Sequence, residues 1–97
     1  MNEEKKEKKM ELTEGSLYKI TSLGGRDHAL ETEGIFKGFI SIGVDETGLL
    51  MELSKSHGNM AGKIRIVPLH VILLIDVLRV KEDLKKDDDK VMSHYVG

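Results

Sequence analysis

The sequence predicts an all-β protein whose five strands form a small, strongly bent antiparallel barrel. Five short segments alternate apolar and polar residues with the two-residue period of a strand. Glycines interrupt the longest of these segments, at the points where a barrel strand has to bend. Two aliphatic segments meet at Pro68, the only proline of the chain. Because proline cannot donate a ladder hydrogen bond, we expect a sharp corner there.

The first two strands are predicted at 17–23 and 31–44. In the first, one face carries Tyr18, Ile20 and Ser22. The run Gly24-Gly25-Arg26-Asp27 predicts the loop that follows. In the second strand we expect a single apolar face, formed by Phe36, Ile40, Ile42 and Val44. Three glycines are the expected bending points of this strand: Gly34, Gly38 and Gly43.

A hairpin is predicted to lead into the third strand. Asp45-Glu46-Thr47-Gly48 has Asp first and Gly last, as a type I turn prefers. In the strand that follows, the inward residues are expected to be Leu49, Met51 and Leu53. The polar, glycine-bearing stretch 55–62 is predicted to be a loop.

The last two strands flank Pro68. In the fourth, Ile64 and Ile66 share one face, and Lys63 and Arg65 share the other. The fifth is apolar on one face (Val71, Leu73, Ile75, Val77) and partly apolar on the other (Ile72, Leu74). An exposed edge of this composition would aggregate, so we expect it to be covered. A second copy of the chain is one candidate for the cover.

The folded domain is predicted at 14–78, between charged tails at 1–13 and 79–97. The tails contain too few apolar residues to offset the entropy of ordering them, so we expect them to be flexible, with a helix as the alternative for the C-terminal one. A domain of this size is marginally stable alone, and the chain has no cysteine for a disulfide. Oligomerisation is the common remaining means of stabilisation.

Composition limits the possible functions. A formal net charge of -2 argues against a surface that coats nucleic acid non-specifically, although a local basic patch stays possible. The hydrophilic start does not resemble a signal peptide, and the segment 71–75 is too short to cross a bilayer. We therefore expect a cytoplasmic protein that does not contact membranes.

Two motifs resemble those of the Sm-like (LSm) family, in particular a divergent archaeal branch. The first reads Gly-Phe-Ile-Ser-Ile-Gly-Val-Asp at 38–45, followed by Gly-Leu-Leu-Met-Glu-Leu at 48–53. The second reads Ile-Val-Pro-Leu-His-Val-Ile-Leu-Leu-Ile at 66–75. The resemblance, which covers about 16–78, implies a homo-oligomeric ring in which the last strand of one subunit joins the fourth strand of the next. It also implies single-stranded RNA as a partner.

Two departures from the family pattern concern its RNA site. Gly48 stands where an asparagine is expected, and Val67-Pro68 replaces an arginine-glycine pair. The usual base pocket is therefore expected to be missing or rebuilt.

Six residues are candidate RNA contacts, each with a purely structural alternative. His70 stacks on a base or satisfies backbone groups at the corner. Asp45 contacts a ribose or base edge, or bonds its own turn, to which Thr47 and Gly48 also belong. Lys63 and Arg65 form a cationic ring around a pore, or are the solvated face of a strand.

Catalysis is not expected from this sequence. The histidines and carboxylates lack the spacing of a metal site, and no pattern suggests a nucleophile with its base. We expect neither a metal nor a cofactor. Two functions remain open: a non-enzymatic ring that binds single-stranded RNA, and an oligomeric protein-interaction scaffold without an RNA site.

Overall fold

The computed structural model describes residues 11–81, which form five strands and two short 3₁₀ helices. The strands are β1 (Leu17–Leu23), β2 (Ala29–Ser41), β3 (Thr47–Leu53), β4 (Ile64–Pro68) and β5 (Ile72–Arg79). The 3₁₀ helices are Lys55–Met60 and Leu69–Val71. The predicted all-β class with five antiparallel strands is confirmed. The stretch predicted as a loop at 55–62 is mostly helical. The predicted tails lie largely outside the described residues, as does nearly all of the possible C-terminal helix.

The strands form one antiparallel sheet in the order β4-β3-β2-β1-β5. Consecutive strands are neighbours except for β4 and β5, which occupy the two opposite edges although only one helical turn separates them. Within residues 11–81, no ladder joins β4 to β5, so the hydrogen-bonded sheet is open rather than closed into a barrel. Each edge strand therefore has one side without a strand of the described chain beside it.

One face of the sheet carries the core. Its buried apolar side chains come from four strands: Tyr18 and Ile20 of β1, Phe36 of β2, Leu49 and Met51 of β3, and Val67 of β4. The faces predicted for β1 and β3 are confirmed, since Ser22 and Leu53 are also buried. The rings of Tyr18 and Phe36 meet edge to face, with 6.1 Å between centroids.

A bulge in β2 changes which residues face the core. Phe36 pairs with Met51 but Gly38 pairs with Leu50, so Lys37 is the extra residue of the bulge. Gly38 has a φ of 124°, which favours glycine. Because the alternation shifts there, Phe39 rather than Ile40 lies against Phe36, with 5.1 Å between ring centroids, although Phe39 is 55% exposed.

The apolar face predicted for the second strand is therefore wrong for Ile40 and Val44, whereas Ile42 is half-buried. Ile40 is 37% exposed and Val44 is 86% exposed. Val44 lies in the hairpin loop, because β2 ends at Ser41. Simple alternation cannot anticipate a bulge, which exchanges the two faces of every residue after it.

A second bulge lies in β5. Thr21 pairs with Leu74 but Ser22 pairs with Ile72, which leaves Leu73 unpaired. Ile72 and Ile75 consequently both pack against the core, while Leu73 is 56% exposed. The sequence placed Leu73 and Ile75 on one face and Ile72 on the other. The structure instead packs Ile72 and Ile75 against the core and leaves Leu73 exposed.

The packed unit reaches beyond 14–78 on both sides. Leu12 packs against the core, and the Thr13 amide donates a 2.8 Å hydrogen bond to the Tyr18 hydroxyl. After β5, the Lys81 amide donates a 2.8 Å hydrogen bond to the Ser16 hydroxyl. Within the described part of the chain, no helix has the length and apolar character needed to cross a membrane.

Candidate functional site

The β2–β3 hairpin loop and the corner between β4 and β5 line an open cleft of about 430 Å³ at the surface. Its walls are formed by residues 44–47 of the loop and by Leu69 and His70 of the corner. Three of the six predicted site residues, Asp45, Thr47 and His70, are therefore brought together although the sequence separates the loop from the corner.

The hairpin loop lies earlier than predicted. Ser41 pairs with Thr47, and the Ile42 amide donates a 2.8 Å hydrogen bond to the Glu46 carbonyl, so the loop spans 42–46. Asp45 has a φ of 58° and is the one non-glycine residue among 11–81 with a positive φ. Asp tolerates this left-handed conformation better than most residues. The loop lies beside the corner, since residues of both line the cleft.

Thr47 and Gly48 belong to β3 rather than to the turn, which corrects the prediction for both. Gly48 is buried, and an added Cβ there would lie 2.7 Å from Ile66 Cγ2 and 3.3 Å from Ile42 Cδ1. A side chain at this position would have to displace these neighbouring aliphatic groups. Gly48 is absent from the cleft lining and acts as a packing residue.

Glu46 is a cleft residue that the sequence analysis did not select. His70 Nδ1 contacts Glu46 Oε2, an oxygen that is shielded from solvent. The Glu46 side chain is 33% exposed and that of His70 is 68% exposed. One side of the imidazole is thus held by the loop while much of the ring stays accessible.

Arg65 does not lie on a solvated strand face. It pairs with Met51 across the β3–β4 ladder, on the same side of β4 as the buried Val67. Its Nη1 donates a 2.8 Å hydrogen bond to Thr32 Oγ1, and Thr32 is only 1% exposed. Arg65 therefore braces β4 to β2 across β3, and the aliphatic pair Ile64 and Ile66 faces outward instead.

Lys63 lies just before the first residue of β4, whereas His70 follows the last one. It is exposed, and its amide donates a 3.0 Å hydrogen bond to the Met60 carbonyl. The structure thus divides the predicted site. Asp45, Thr47 and His70 line one cleft, whereas Lys63 and Arg65 lie at the opposite end of β4. The predicted alternation of β4 holds, but its core face is the one that carries Arg65.

The loop between β3 and β4 contains a second histidine with a structural role. His57 Nε2 accepts a 2.9 Å hydrogen bond from the Glu33 amide, which lies beyond the end of the β2–β3 ladder. Ser54 binds the same strand, donating to Glu33 Oε2 at 3.2 Å. In the range 11–81, His, Asp and Glu side chains form no group of three that could hold a metal ion.

No family model, curated protein or solved structure matches this chain. The resemblance to Sm-like proteins therefore stays a prediction from the motifs at 38–53 and 66–75.

Proposed function

We propose that this chain is a non-enzymatic Sm-like protein that assembles into a homo-oligomeric ring and binds single-stranded RNA. In the proposed assembly, β4 of one copy pairs with β5 of the next. The observation that carries the proposal is that the two edge strands of the sheet, β4 and β5, are both open. Pairing two different edges is a head-to-tail contact, which produces a ring when the rotation closes.

The composition of both edges supports this assembly. Natural proteins protect exposed edges with charges, prolines or short strands, because unpaired backbone groups recruit other chains. Here β5 instead exposes Leu73, Leu74 and Leu78, and β4, although short and ending in Pro68, exposes Ile64 and Ile66, each by 42% or more. Apolar side chains on both partners would be buried together, and the unpaired amides and carbonyls of the two edges would satisfy one another.

The RNA part of the proposal depends on the cleft next to β4. His70 is exposed and partly fixed by Glu46, so its ring is available to stack on a base. The cleft lies at the corner between the two edge strands, so every subunit junction of a ring would carry one copy of it. Several weak contacts repeated around a ring bind one strand far more tightly than a single contact does.

Titration of a labelled, mixed-sequence, single-stranded RNA with the full-length protein tests this function by fluorescence anisotropy. We expect binding that weakens as salt rises, because phosphate contacts release counterions. The variant His70→Ala should weaken binding by about tenfold, the order expected for loss of one stacked base. His28→Ala is the matched control, since His28 is an exposed loop residue outside the cleft. Undetectable binding at low salt would refute RNA as the partner.

A second function, an oligomeric protein-interaction scaffold without an RNA site, has its own supporting observation. The cleft contains two carboxylates, Asp45 and Glu46, and the whole chain has a net charge of -2. Both features oppose a polyanion. An assembled protein that fails to bind RNA at any salt concentration would favour this scaffold role.

A further inference from the structure

The 3₁₀ helix Lys55–Met60 is attached to the sheet by hydrogen bonds rather than by packing. None of its side chains is buried. Backbone bonds close the base of its loop, where the Leu53 amide donates to the Lys63 carbonyl at 2.9 Å and the Gly62 amide donates to the Leu53 carbonyl at 2.8 Å. A segment without buried side chains is weakly held, so single hydrogen bonds decide where it lies.

His57 connects this helix to β2. Its Nε2 accepts a 2.9 Å hydrogen bond from the Glu33 amide. Because β3 ends at Leu53, opposite Gly34, no residue of β3 is left to accept from that amide. Ser54 holds the same residue of β2, since its amide donates to the Glu33 carbonyl at 2.9 Å and its hydroxyl donates to Glu33 Oε2 at 3.2 Å. The imidazole of His57 therefore takes the place of a strand at the end of the β2–β3 ladder.

The bond between His57 and the Glu33 amide exists in one protonation state of the imidazole. Nε2 accepts a hydrogen bond only when it carries no proton, so the neutral ring has to carry its proton on Nδ1. A protonated imidazole has N–H donors at both nitrogens. Two donors would then face each other, and the Glu33 amide would lose its acceptor. Protonation of His57 therefore removes the bond.

The elements around this contact carry charged groups of both signs. The acids are Glu31, Glu33 and Glu52, and the bases are Lys55, Arg65 and Arg79. The acids attract a charged imidazole and the bases repel it. Glu33 Oε2 is the carboxylate oxygen to which a protonated ring could turn, and it already accepts a hydrogen bond from Ser54. A ring that turned there would also leave the Glu33 amide, so either movement breaks the contact.

We propose that His57 is a proton-controlled switch, whose neutral imidazole holds the helix Lys55–Met60 against β2 and whose protonation releases it. Only the released state binds a proton at Nε2, so the attachment weakens as the pH falls. Histidine is the side chain that ordinarily changes charge between about pH 5 and pH 8. Lys55 and Ser56 of this helix line an open groove of about 800 Å³, together with Leu17 and Ile35 of the sheet. Acidification therefore changes one wall of this groove.

NMR of the ¹⁵N-labelled full-length protein tests the switch at about pH 7.5 and about pH 5.5, within the range in which histidine changes charge. The Glu33 amide should lose protection from solvent exchange by about fivefold at the lower pH, the factor that one ordinary hydrogen bond contributes. The order parameters of Lys55–Met60 should fall with it. The Leu53 amide should keep its protection, because it donates to the Lys63 carbonyl. The imidazole nitrogen spectrum should show His57 protonated on Nδ1 alone at the higher pH.

Three variants separate His57 from the other titrating groups. His57→Gln replaces the imidazole by an amide that does not titrate, so protection of the Glu33 amide should no longer depend on pH. His28→Gln is the matched control, since His28 is an exposed residue of the β1–β2 loop, and it should keep the response of the unchanged protein. Glu33→Gln should also keep the response, because the bond uses the backbone amide of this residue.

The outcomes that overturn the inference are specific. Equal protection of the Glu33 amide at both pH values overturns it, and so does a His57 proton on Nε2 at the higher pH. Unchanged order parameters of Lys55–Met60 would show that nothing is released. A response that persists in His57→Gln, or a loss of protection that the Leu53 amide shares, assigns the effect to another group or to the whole sheet. None of these measurements involves RNA, so their result leaves the proposed function unaffected.

Discussion

Replacing Gly34 by alanine should strongly destabilise the fold, because two strands approach each other closely at this point of β2. A Cβ at Gly34 would lie 2.2 Å from the Glu52 carbonyl oxygen and 3.1 Å from Leu53 Cα. These are backbone atoms of β3, held in place by the ladder in which Gly34 pairs with Leu53. The strands would have to separate by about 1 Å to restore the normal contact distance between heavy atoms.

The expected loss follows from this geometry. Forcing a methyl group into a packed site costs about 1–3 kcal/mol, and backbone that is fixed by hydrogen bonds places the cost at the upper end. Removing a glycine stabilises by up to about 1 kcal/mol through the unfolded state, which offsets part of the loss. We predict that Gly34→Ala lowers the free energy of unfolding by about 2 kcal/mol.

Urea unfolding at one fixed protein concentration measures this change, since an oligomer's stability depends on concentration. Gly25→Ala is the matched control, because a Cβ there meets no atom within 4 Å. We expect the control to stay within about 0.5 kcal/mol of the unchanged protein or to be slightly more stable. Equal stability of the two variants would refute the close approach of β2 and β3.

Two further predictions concern side chains that bind β2. Arg65→Met should lower the free energy of unfolding by about 1–2 kcal/mol, because it leaves the buried Thr32 hydroxyl without this donor. The control Lys63→Met should change it by less than about 0.5 kcal/mol. Equal losses for the two variants in urea unfolding would count against the contact between Arg65 and Thr32. His57→Ala removes the acceptor of the Glu33 amide, so that amide should exchange with deuterated solvent several-fold faster by NMR, and an unchanged rate would exclude the bond.

The all-β class and most of the core could be predicted from the sequence because those features depend on local alternation, whereas the predicted closure into a barrel is not seen in the hydrogen-bonded sheet of residues 11–81. Tyr18, Ile20, Leu49 and Met51 are all buried on the expected face. The polar-apolar period is a property of each strand by itself, so it can be read without knowing the neighbours. The corner at Pro68 was predictable for a similar reason, since proline lacks the amide of a continuing strand.

The errors arise where one extra residue changes the register. The bulges at Lys37 and Leu73 exchange the two faces of a strand, and nothing in the local alternation marks them. Gly38 was recognised as a bending point, but which residues would face inward after it depends on the pairing with β3. The same limit applies to Arg65, because only the register with Met51 shows that its face is the inner one.

The candidate site was predictable in part. Asp45 and His70 were selected separately, and the structure places them around one cleft. Glu46 was missed although it lies next to Asp45, because its role depends on the contact with His70 across the cleft. A contact between distant segments leaves no pattern in either segment, so it emerges only from the fold.

The mass of the full-length protein in solution tests the central claim, that β4 and β5 of successive copies pair. Light scattering after gel filtration should give several times the chain mass of 10.9 kDa. Leu74→Lys, on the open strand β5, should shift the protein to smaller species, whereas Leu23→Lys, at a similarly exposed leucine of β1, should leave the mass unchanged. A monomeric unmodified protein at micromolar concentration would contradict the account.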